Sequence, residues 1–529
     1  MEKKNRYAVI LIMLGILLLG VFLRIRSLAS KPFWFDDLTS LAVAAKNLQF
    51  ILTQYPVYKS AYIIILKIWT GVFGSGPVVT RILPSFCGVA SILLTFLIGK
   101  NLSNVRTGII ASFLLSISAF HIYHSREVKH YTLLLFLGML SVYFFVRFLS
   151  ERKNKFLVMN LLLNIMILFV HPFGASLILV QVVYLILNRR FIEKAELKKW
   201  FLAHLPLFFA FVLWAAIIVV IRQYLQGVLW WVGRANIFSL AEIFNTFCYG
   251  FRYGLTDIAV HSYPSVVIVL LRIIFGLFFI KGLCVILANH RQSREQFIVI
   301  WLFLPVVLTF LFSYIFFSVL VVKHFLIILP AFYFFVAIGL GHKTKTPFII
   351  GVLAVIFMLS FVPLRIMYQA RAGTDWQKAV QLMKEHSLKD DDIIIMATTK
   401  ETVCLMYYLS DMDKDVLREL GLFGKLTDST WQESFQYKQH RVITLGSELL
   451  ATKGSRYIQG ERINADFDTK VLSGDVLNAD KPLWLLISRW AGDEYYKGDL
   501  AAKLKTHFKM VFKRDACGIK VYHFEPQVD

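Results

Sequence analysis

Charge is what this sequence has least of. Asp, Glu, Lys and Arg make up 17% of its 529 residues, against about 25% in an ordinary globular protein. Carboxylates are the scarcest: 34 stand against 57 Lys and Arg, and only ten of the 34 precede residue 366. With 57% hydrophobic residues and 47 Phe, this excludes disorder, a collagen-like fibre and a single water-soluble enzyme domain. The five cysteines, Cys87, Cys248, Cys284, Cys404 and Cys517, show no metal-ligand spacing. The first three lie in apolar sequence, as inert core thiols do. Cys404 and Cys517 lie in the tail and can pair only if that tail is outside the cytoplasm. No low-complexity tract is visible, and no repeat of about 20–50 residues.

What is present in quantity is apolar sequence in long runs. Stretches of membrane-crossing character run at 8–28, 78–99, 107–123, 131–149, 156–170, 172–187, 201–221, 264–287, 297–313, 319–340 and 346–365. The first follows Lys3, Lys4 and Arg6 without a small-residue cleavage site, so it reads as a retained span. A formal net charge of +23 would suit a nucleic-acid binder, but the excess sits in loops between apolar runs. Basic loops flanking membrane spans are the better account, and no nucleic-acid partner is expected. Tyr62–Phe73 is apolar but short and fits a helix lying in the outer interface. Loops 100–106, 151–155, 188–199, 289–295 and 342–345 then fall together on the cytoplasmic side, as the positive-inside rule requires. The expected fold is therefore a polytopic α-helical membrane protein with about eleven transmembrane helices, its N-terminus cytoplasmic and its tail outside a cell (plasma) membrane.

Two domains follow from composition: a transmembrane domain over 1–365, with a first outer loop at 29–77, and an extracytoplasmic α/β domain over 366–529. The tail's pattern predicts a helix at Trp376–Glu385, strands at Ile393–Ala397, Leu483–Ser488 and Ile519–Phe524, and a helix at Asp499–Phe508. It contains no Walker loop and no Gly-x-Gly-x-x-Gly. Asp390, Asp391 and Asp392 read as a solvated turn before a strand.

Half of the ten carboxylates in the membrane part lie on the expected outer face: Asp36, Asp37, Glu127, Glu242 and Asp257. Carboxylates beside hydrocarbon are costly and tend to mark sites. Asp36-Asp37 follows Lys31-Pro32-Phe33-Trp34-Phe35 and precedes Leu38–Leu48, whose helical apolar stripe suits a helix flat on the membrane. One of the two acids can be a helix cap. Glu127 sits in a polar knot, His124 to Tyr131, where an Arg126–Glu127 pair in a solvated loop is the plain alternative. His171 stands alone between two short spans, as many structural histidines do. Lys323-His324 opens the tenth span, where the Lys either snorkels or holds a lipid phosphate. Trp230-Trp231 and Arg234, in the same loop, suit interface anchoring or sugar contact, and anchoring is favoured for the Trp pair.

The order of these features from Phe33 to about Arg147 resembles the GT-C polyprenyl-phosphate-sugar glycosyltransferases, nearest the protein O-mannosyltransferases and the lipid A aminoarabinose transferase. The similar segments are Trp34-Phe35-Asp36-Asp37, Tyr55-Pro56-Val57-Tyr58, Trp69 to Gly74, Thr80-Arg81-Ile82-Leu83-Pro84-Ser85 and Ser125 to Leu133. Further on, Lys323-His324-Phe325 to Pro330 and Asp375-Trp376-Gln377-Lys378-Ala379 are similar to later family segments. Asp37 stands where the family usually has Glu, His130 where Pro is common, and Lys323 where Arg is usual. The last exchanges a bidentate fork for a point charge.

The resemblance implies transfer of a sugar from a polyprenyl-phosphate carrier to an extracytoplasmic glycan, lipid or protein acceptor, by an inverting single displacement. It implies a carboxylate base at Asp36 or Asp37, with position in the motif favouring Asp36. Asp37 or Glu127 would orient the acceptor, and Lys323 with Arg126 or His324 would neutralise the phosphate. Tyr131 and His171 would line the substrate site. The lipid-linked sugar is itself the donor, so no cofactor is expected. No metal is required for the neutralisation, and the sequence leaves a divalent ion open. Membrane lipids are the remaining partners. A transporter or flippase of a lipid-linked glycan is the alternative reading, but it would place charges deep in several spans.

Overall fold

The computed structural model describes residues 3–53, 60–220, 232–250, 265–288, 293–369, 374–397, 401–413, 416–417, 434–437, 440–444, 467, 471–472, 476, 481–488, 500–516 and 518–527. Tyr55 to Tyr58, Trp230, Trp231, Asp257 and Cys517 lie outside these. The helices are α1 (Lys3–Ile25), α2 (Phe35–Ala45), α3 (Leu48–Thr53), α4 (Ser60–Phe73), α5 (Pro77–Leu102), α6 (Val105–Ile117), α7 (Ala119–His124), α8 (Tyr131–Glu151), α9 (Asn154–Val170), α10 (Ala175–Leu187) and α11 (Lys194–Val220). There follow α12 (Ile237–Tyr249), α13 (Ser265–Ala288), α14 (Ser293–Ile315), α15 (Leu329–Gly341), α16 (Thr346–Gln369), α17 (Trp376–Glu385), α18 (Thr402–Leu409) and α19 (Leu500–Lys505). The strands are β1 (Ile393–Met396), β2 (Ser434–Tyr437), β3 (His440–Thr444), β4 (Leu483–Ser488), β5 (Phe508–Asp515) and β6 (Ile519–Pro526).

The chain forms two compact units. The first takes residues 1–30, 48–221 and 232–370, and the second takes 31–47, 222–231 and 371–529. Residues 31–47, which precede most of the apolar runs in sequence, group with residues 371–529.

Seven helical stretches of the first unit, among the described residues, are long and apolar enough to cross a membrane: Arg6–Ile25, Pro77–Leu102, Tyr131–Glu151, Val266–Ala288, Arg294–Ile315, Val322–Gly341 and Thr346–Tyr368. Shorter apolar helices accompany them, α4, α6, α9 and α12 among them. This is a multi-pass membrane architecture. Two expected spans are broken. The 107–123 run divides at Ser118, whose side chain accepts from His121 N–H and starts α7. His171 separates α9 from a 3-10 turn at Pro172–Gly174, at the boundary between the 156–170 and 172–187 runs. The 319–340 run opens as a 3-10 stretch, Val322–Ile328, before α15. Cys87 and Cys248 are buried as expected, whereas Cys284 is exposed on the outside of the bundle.

Helices α8 to α11 are joined by a buried polar network that hydrocarbon makes valuable. Asn160 donates to Ser141 Oγ at 3.0 Å and Gln181 Oε1 at 3.1 Å. Trp200 Nε1–H donates to Asn160 Oδ1 at 3.0 Å, and Asn164 Nδ2 lies 3.0 Å from His204 Nε2.

In the second unit the sheet order is β2-β3-β1-β4-β6-β5. Strand β1 lies parallel to both β3 and β4, and β2, β6 and β5 add antiparallel edges. Alternation sends Ile393, Ile395, Leu483, Leu485, Tyr522 and Phe524 to one face, where they form a core with Leu500 and Leu504 of α19. The expected helix over 499–508 stops at Lys505, because Phe508 already begins the alternating strand β5. Asp392 is not the solvated turn residue expected. It is buried and accepts from Trp484 Nε1–H at 3.0 Å and Lys389 N–H at 2.9 Å.

Trp484 stacks on His523 with ring centroids 4.1 Å apart and planes 2° from parallel. Burial lowers the His523 pKa from the ordinary 6.5, opposed by the Asp392 carboxylate. The unfolded chain therefore binds the proton more readily. The stability contribution is complete above pH about 6.5 and is lost as the pH falls below it. His523→Phe keeps the stack and removes the proton site. Its apparent Tm in the full chain should match wild type at neutral pH and exceed it by a few degrees at pH about 5. Parallel Tm values at both pH values would refute this.

Candidate functional site

The segment joining α7 to α8 is pressed onto α5. Ser85 Oγ donates to the Ser125 carbonyl at 2.8 Å, and Ser125 Oγ donates to the His121 carbonyl at 2.7 Å. Gly88 permits the approach: a Cβ there would fall 2.2 Å from Ser125 Oγ. Held this way, Glu127 and His124 are buried together, with His124 Nδ1 2.8 Å from Glu127 Oε2. A carboxylate only accepts, so the imidazole Nδ1 carries the hydrogen and donates. Glu127 pairs with His124 here, in place of the solvated Arg126–Glu127 pair that the sequence offered.

Around this pair the rings of three remote segments converge. His124 and Tyr131 have centroids 4.9 Å apart, and His130 stacks on His171 at 4.7 Å with planes 12° apart. His171 meets His324 at 4.6 Å, and Lys323 Nζ lies 5.4 Å from the Tyr131 ring centroid. Phe173 N–H donates to His171 Nδ1 at 3.2 Å, which puts the hydrogen of a neutral His171 on Nε2. Thus Glu127, Tyr131, His171, Lys323 and His324 are brought together. His124 and His130 join them. The sequence marked His130 only as a departure from a motif.

Arg126 is turned elsewhere. Its Nη2 donates to the Arg26 and Ser27 carbonyls at 3.0 and 3.1 Å, and its guanidinium lies 4.6 Å over the Tyr368 ring. Arg81, fully buried, donates to the Leu28 carbonyl at 3.2 Å. Arg24 donates to the Gly20 and Ser116 carbonyls and lies 2.6 Å from His121 Nδ1. Three arginines therefore fasten the end of α1 and residues 26–28, just before the first-loop carboxylates. Sequence reasoning noted Arg81 only within a resembling segment and missed Arg24, although a cation inside the apolar α1 run was a readable signal.

Asp36 and Asp37 lie in the second unit, in the first turn of α2, where carboxylates suit the helix dipole. Asp37 is fully buried and Asp36 half-buried. The apolar stripe of α2 does not lie open to lipid as expected: Leu38 and Leu41 are buried, and α2 packs on α18. Asp375 caps α17 by accepting from Lys378 N–H at 3.0 Å, which accounts for that residue of the Asp375-Trp376 segment. Glu242 is half-buried on α12. Among the described residues no group of three or more His, Cys, Asp and Glu is placed to hold a metal ion.

A family model described as dolichyl-phosphate-mannose-protein mannosyltransferase matches residues 61–219. Comparison with curated proteins finds no match. Among solved structures, ArnT from Cupriavidus metallidurans in the apo state matches with TM-score 0.54 and 13% identity over 98% of both chains. The same protein bound to undecaprenyl phosphate matches with TM-score 0.51 and 12% identity over 97% of both chains. The Archaeoglobus fulgidus oligosaccharyltransferase in the apo form matches with TM-score 0.55 and 12% identity, over 100% of this chain and 76% of that one. At such identities the likeness is one of fold. The chain shares the fold of these structures, a polytopic helical membrane part with a C-terminal α/β domain, as its sequence led one to expect.

Proposed function

We propose that this chain is an integral-membrane glycosyltransferase that moves a sugar from a polyprenyl-phosphate donor to an acceptor outside the cytoplasm of a cell membrane. The observation that carries the reading is the convergence of Glu127, Tyr131, His171, Lys323 and His324 from three remote segments at one end of the helices. The family match adds to it, as do the ligands of the fold neighbours, undecaprenyl phosphate in ArnT and dolichol-phosphate with an inhibitory peptide in the archaeal AglB.

In the proposed reaction the acceptor oxygen or nitrogen attacks the anomeric carbon from the face opposite the phosphate. The carbon–oxygen bond to phosphate breaks, polyprenyl phosphate leaves with the bonding pair, and the acceptor proton passes to Asp36. One displacement inverts the anomeric centre. Phosphate is an adequate leaving group once its charge is met, which is the role of Lys323 and His324. Asp36 is preferred as base because it is the more accessible carboxylate of the pair. Buried Asp37, or Glu127 held by His124, orients the acceptor. Arg126 is assigned to holding the chain at residues 26–27, not to the phosphate.

The test is a donor panel. Membranes containing the full chain are given radiolabelled polyprenyl-phosphate mannose, glucose and aminoarabinose. Label moving to an acceptor with release of polyprenyl phosphate is the expected result. Intact donor crossing to the other leaflet would instead establish a flippase, and neither outcome would leave a scaffold.

A further inference from the structure

The first-loop carboxylates and the tail domain share one compact unit, and the seam between them is built around α18. Tyr408 Oη–H donates to the Phe33 carbonyl at 2.9 Å, and both residues are buried. The Tyr407 ring meets the Phe33 ring edge-on at 6.0 Å. Phe33 is two residues ahead of α2, whose first turn holds Asp36 and Asp37. Fixing its carbonyl therefore fixes where the helix begins and which way its first-turn side chains project.

Cys404 stands one helical turn before Tyr408, on the same face of α18. Burial pushes its thiol pKa well above the ordinary value, and the Glu401, Asp37 and Asp36 carboxylates add to the effect. Helix α2, which carries both first-loop acids in its first turn, packs on α18. At the other end of α18, Glu401 accepts from the Thr374 hydroxyl, immediately before the Asp375 cap of α17. Helix α18 thus ties the Asp36-Asp37 segment to the Asp375-Trp376 segment, two stretches more than 300 residues apart in sequence.

We infer that Tyr408 is a positioning residue for the transfer reaction, its hydroxyl holding the Phe33 carbonyl so that the Asp36 carboxylate faces the acceptor. The inference rests on the reading of Asp36 as the base. It gives the tail a part in catalysis through geometry and not only through any contact with the acceptor.

The test uses the full chain in proteoliposomes, supplied with whichever polyprenyl-phosphate sugar of the panel is turned over. Tyr408→Phe keeps the ring and removes only the hydroxyl. Misplacing a reacting group lowers the rate without loosening the donor, so kcat should fall roughly tenfold with the donor KM within about twofold. Labelling of Cys404 by N-ethylmaleimide, followed by mass spectrometry, should accelerate by about tenfold as the seam loosens. Wild-type kcat in Tyr408→Phe, alongside an inactive Asp36→Asn, would overturn the positioning role and leave the base assignment standing. Full activity in both Asp36→Asn and Asp37→Asn would remove the base assignment instead. A fall in kcat matched by a rise in KM and a lower Tm would mark Tyr408 as merely structural and also overturn the inference. So would unchanged Cys404 labelling in Tyr408→Phe.

Discussion

Asp36→Asn should slow sugar transfer by about 10²- to 10⁴-fold while binding of polyprenyl phosphate stays within about twofold. The substitution is nearly isosteric and keeps a residue that tolerates a helix start, so α2 should form as before. What it removes is the ability to take a proton. A hydroxyl acceptor must lose its proton as the carbon–oxygen bond forms, and an amide cannot receive it. Donor binding is carried in this reading by Lys323 and His324 and should not feel the change. Asp37→Asn should cost less in rate, because that side chain is fully buried and serves orientation. The measurement is single-turnover transfer beside equilibrium binding of polyprenyl phosphate. Loss of activity in Asp37→Asn with Asp36→Asn intact would move the base to Asp37, and full activity in both would remove a carboxylate base from this loop.

The division between what the sequence shows and what it hides follows physical lines. Apolar runs mark helices because burial in lipid acts on composition, so α5 and α8 stand where their runs stand. Helix breaks depend on single side-chain bonds. Ser118 capping His121 inside the 107–123 run leaves no trace in hydropathy. In the tail, β1 and β4 are buried on both faces and read as continuous apolar runs. Strand β5 carries Lys509, Lys513 and Arg514 between its apolar residues, and its first residue was absorbed into the expected helix before it.

The candidate site was legible as a set of polar residues in oily surroundings, which the expected sidedness assigned to one face. Their mutual geometry was not. Nothing in the spacing of Glu127 and His124 distinguishes that pair from the Arg126–Glu127 pair, since either is near in sequence. The choice is made by three-dimensional facts: Arg126 finds the carbonyls of Arg26 and Ser27, and His124 is buried beside the carboxylate. The same holds for α2, whose apolar stripe was correctly seen. A stripe declares that something covers it, and the sequence did not say that the cover is a helix of the tail.

Gly339→Leu should prevent the chain from folding, and Gly339→Ala should lower its apparent Tm clearly. Helix α15 is the middle of the first unit: 89% of the apolar window of Val322–Gly341 is buried within the protein, against 17% for Val266–Ala288. The two stretches nevertheless touch backbone to backbone. A Cβ on Gly339 would fall 1.9 Å from the Phe278 carbonyl oxygen, and one on Gly282 would fall 2.0 Å from that of Phe335. Two i, i+4 pairs, Phe278 with Gly282 and Phe335 with Gly339, thus face one another across the crossing. In lipid, helices associate by packing and not by leaving water, so this close approach is what the glycines supply. Even one methyl group meets main chain that a rotamer change cannot move. Overpacking of that kind typically costs about 1–3 kcal/mol, and the leucine side chain would force the helices apart. Gly351 of α16 is the control, with nothing within 4 Å of its Cβ position. Gly351→Ala should leave Tm unchanged or raise it slightly, since alanine is favoured over glycine in a helix by up to about 1 kcal/mol. Size-exclusion profile and thermal melting in detergent decide the matter. A monodisperse Gly339→Leu protein melting with wild type would mean that α13 and α15 do not meet through these glycines.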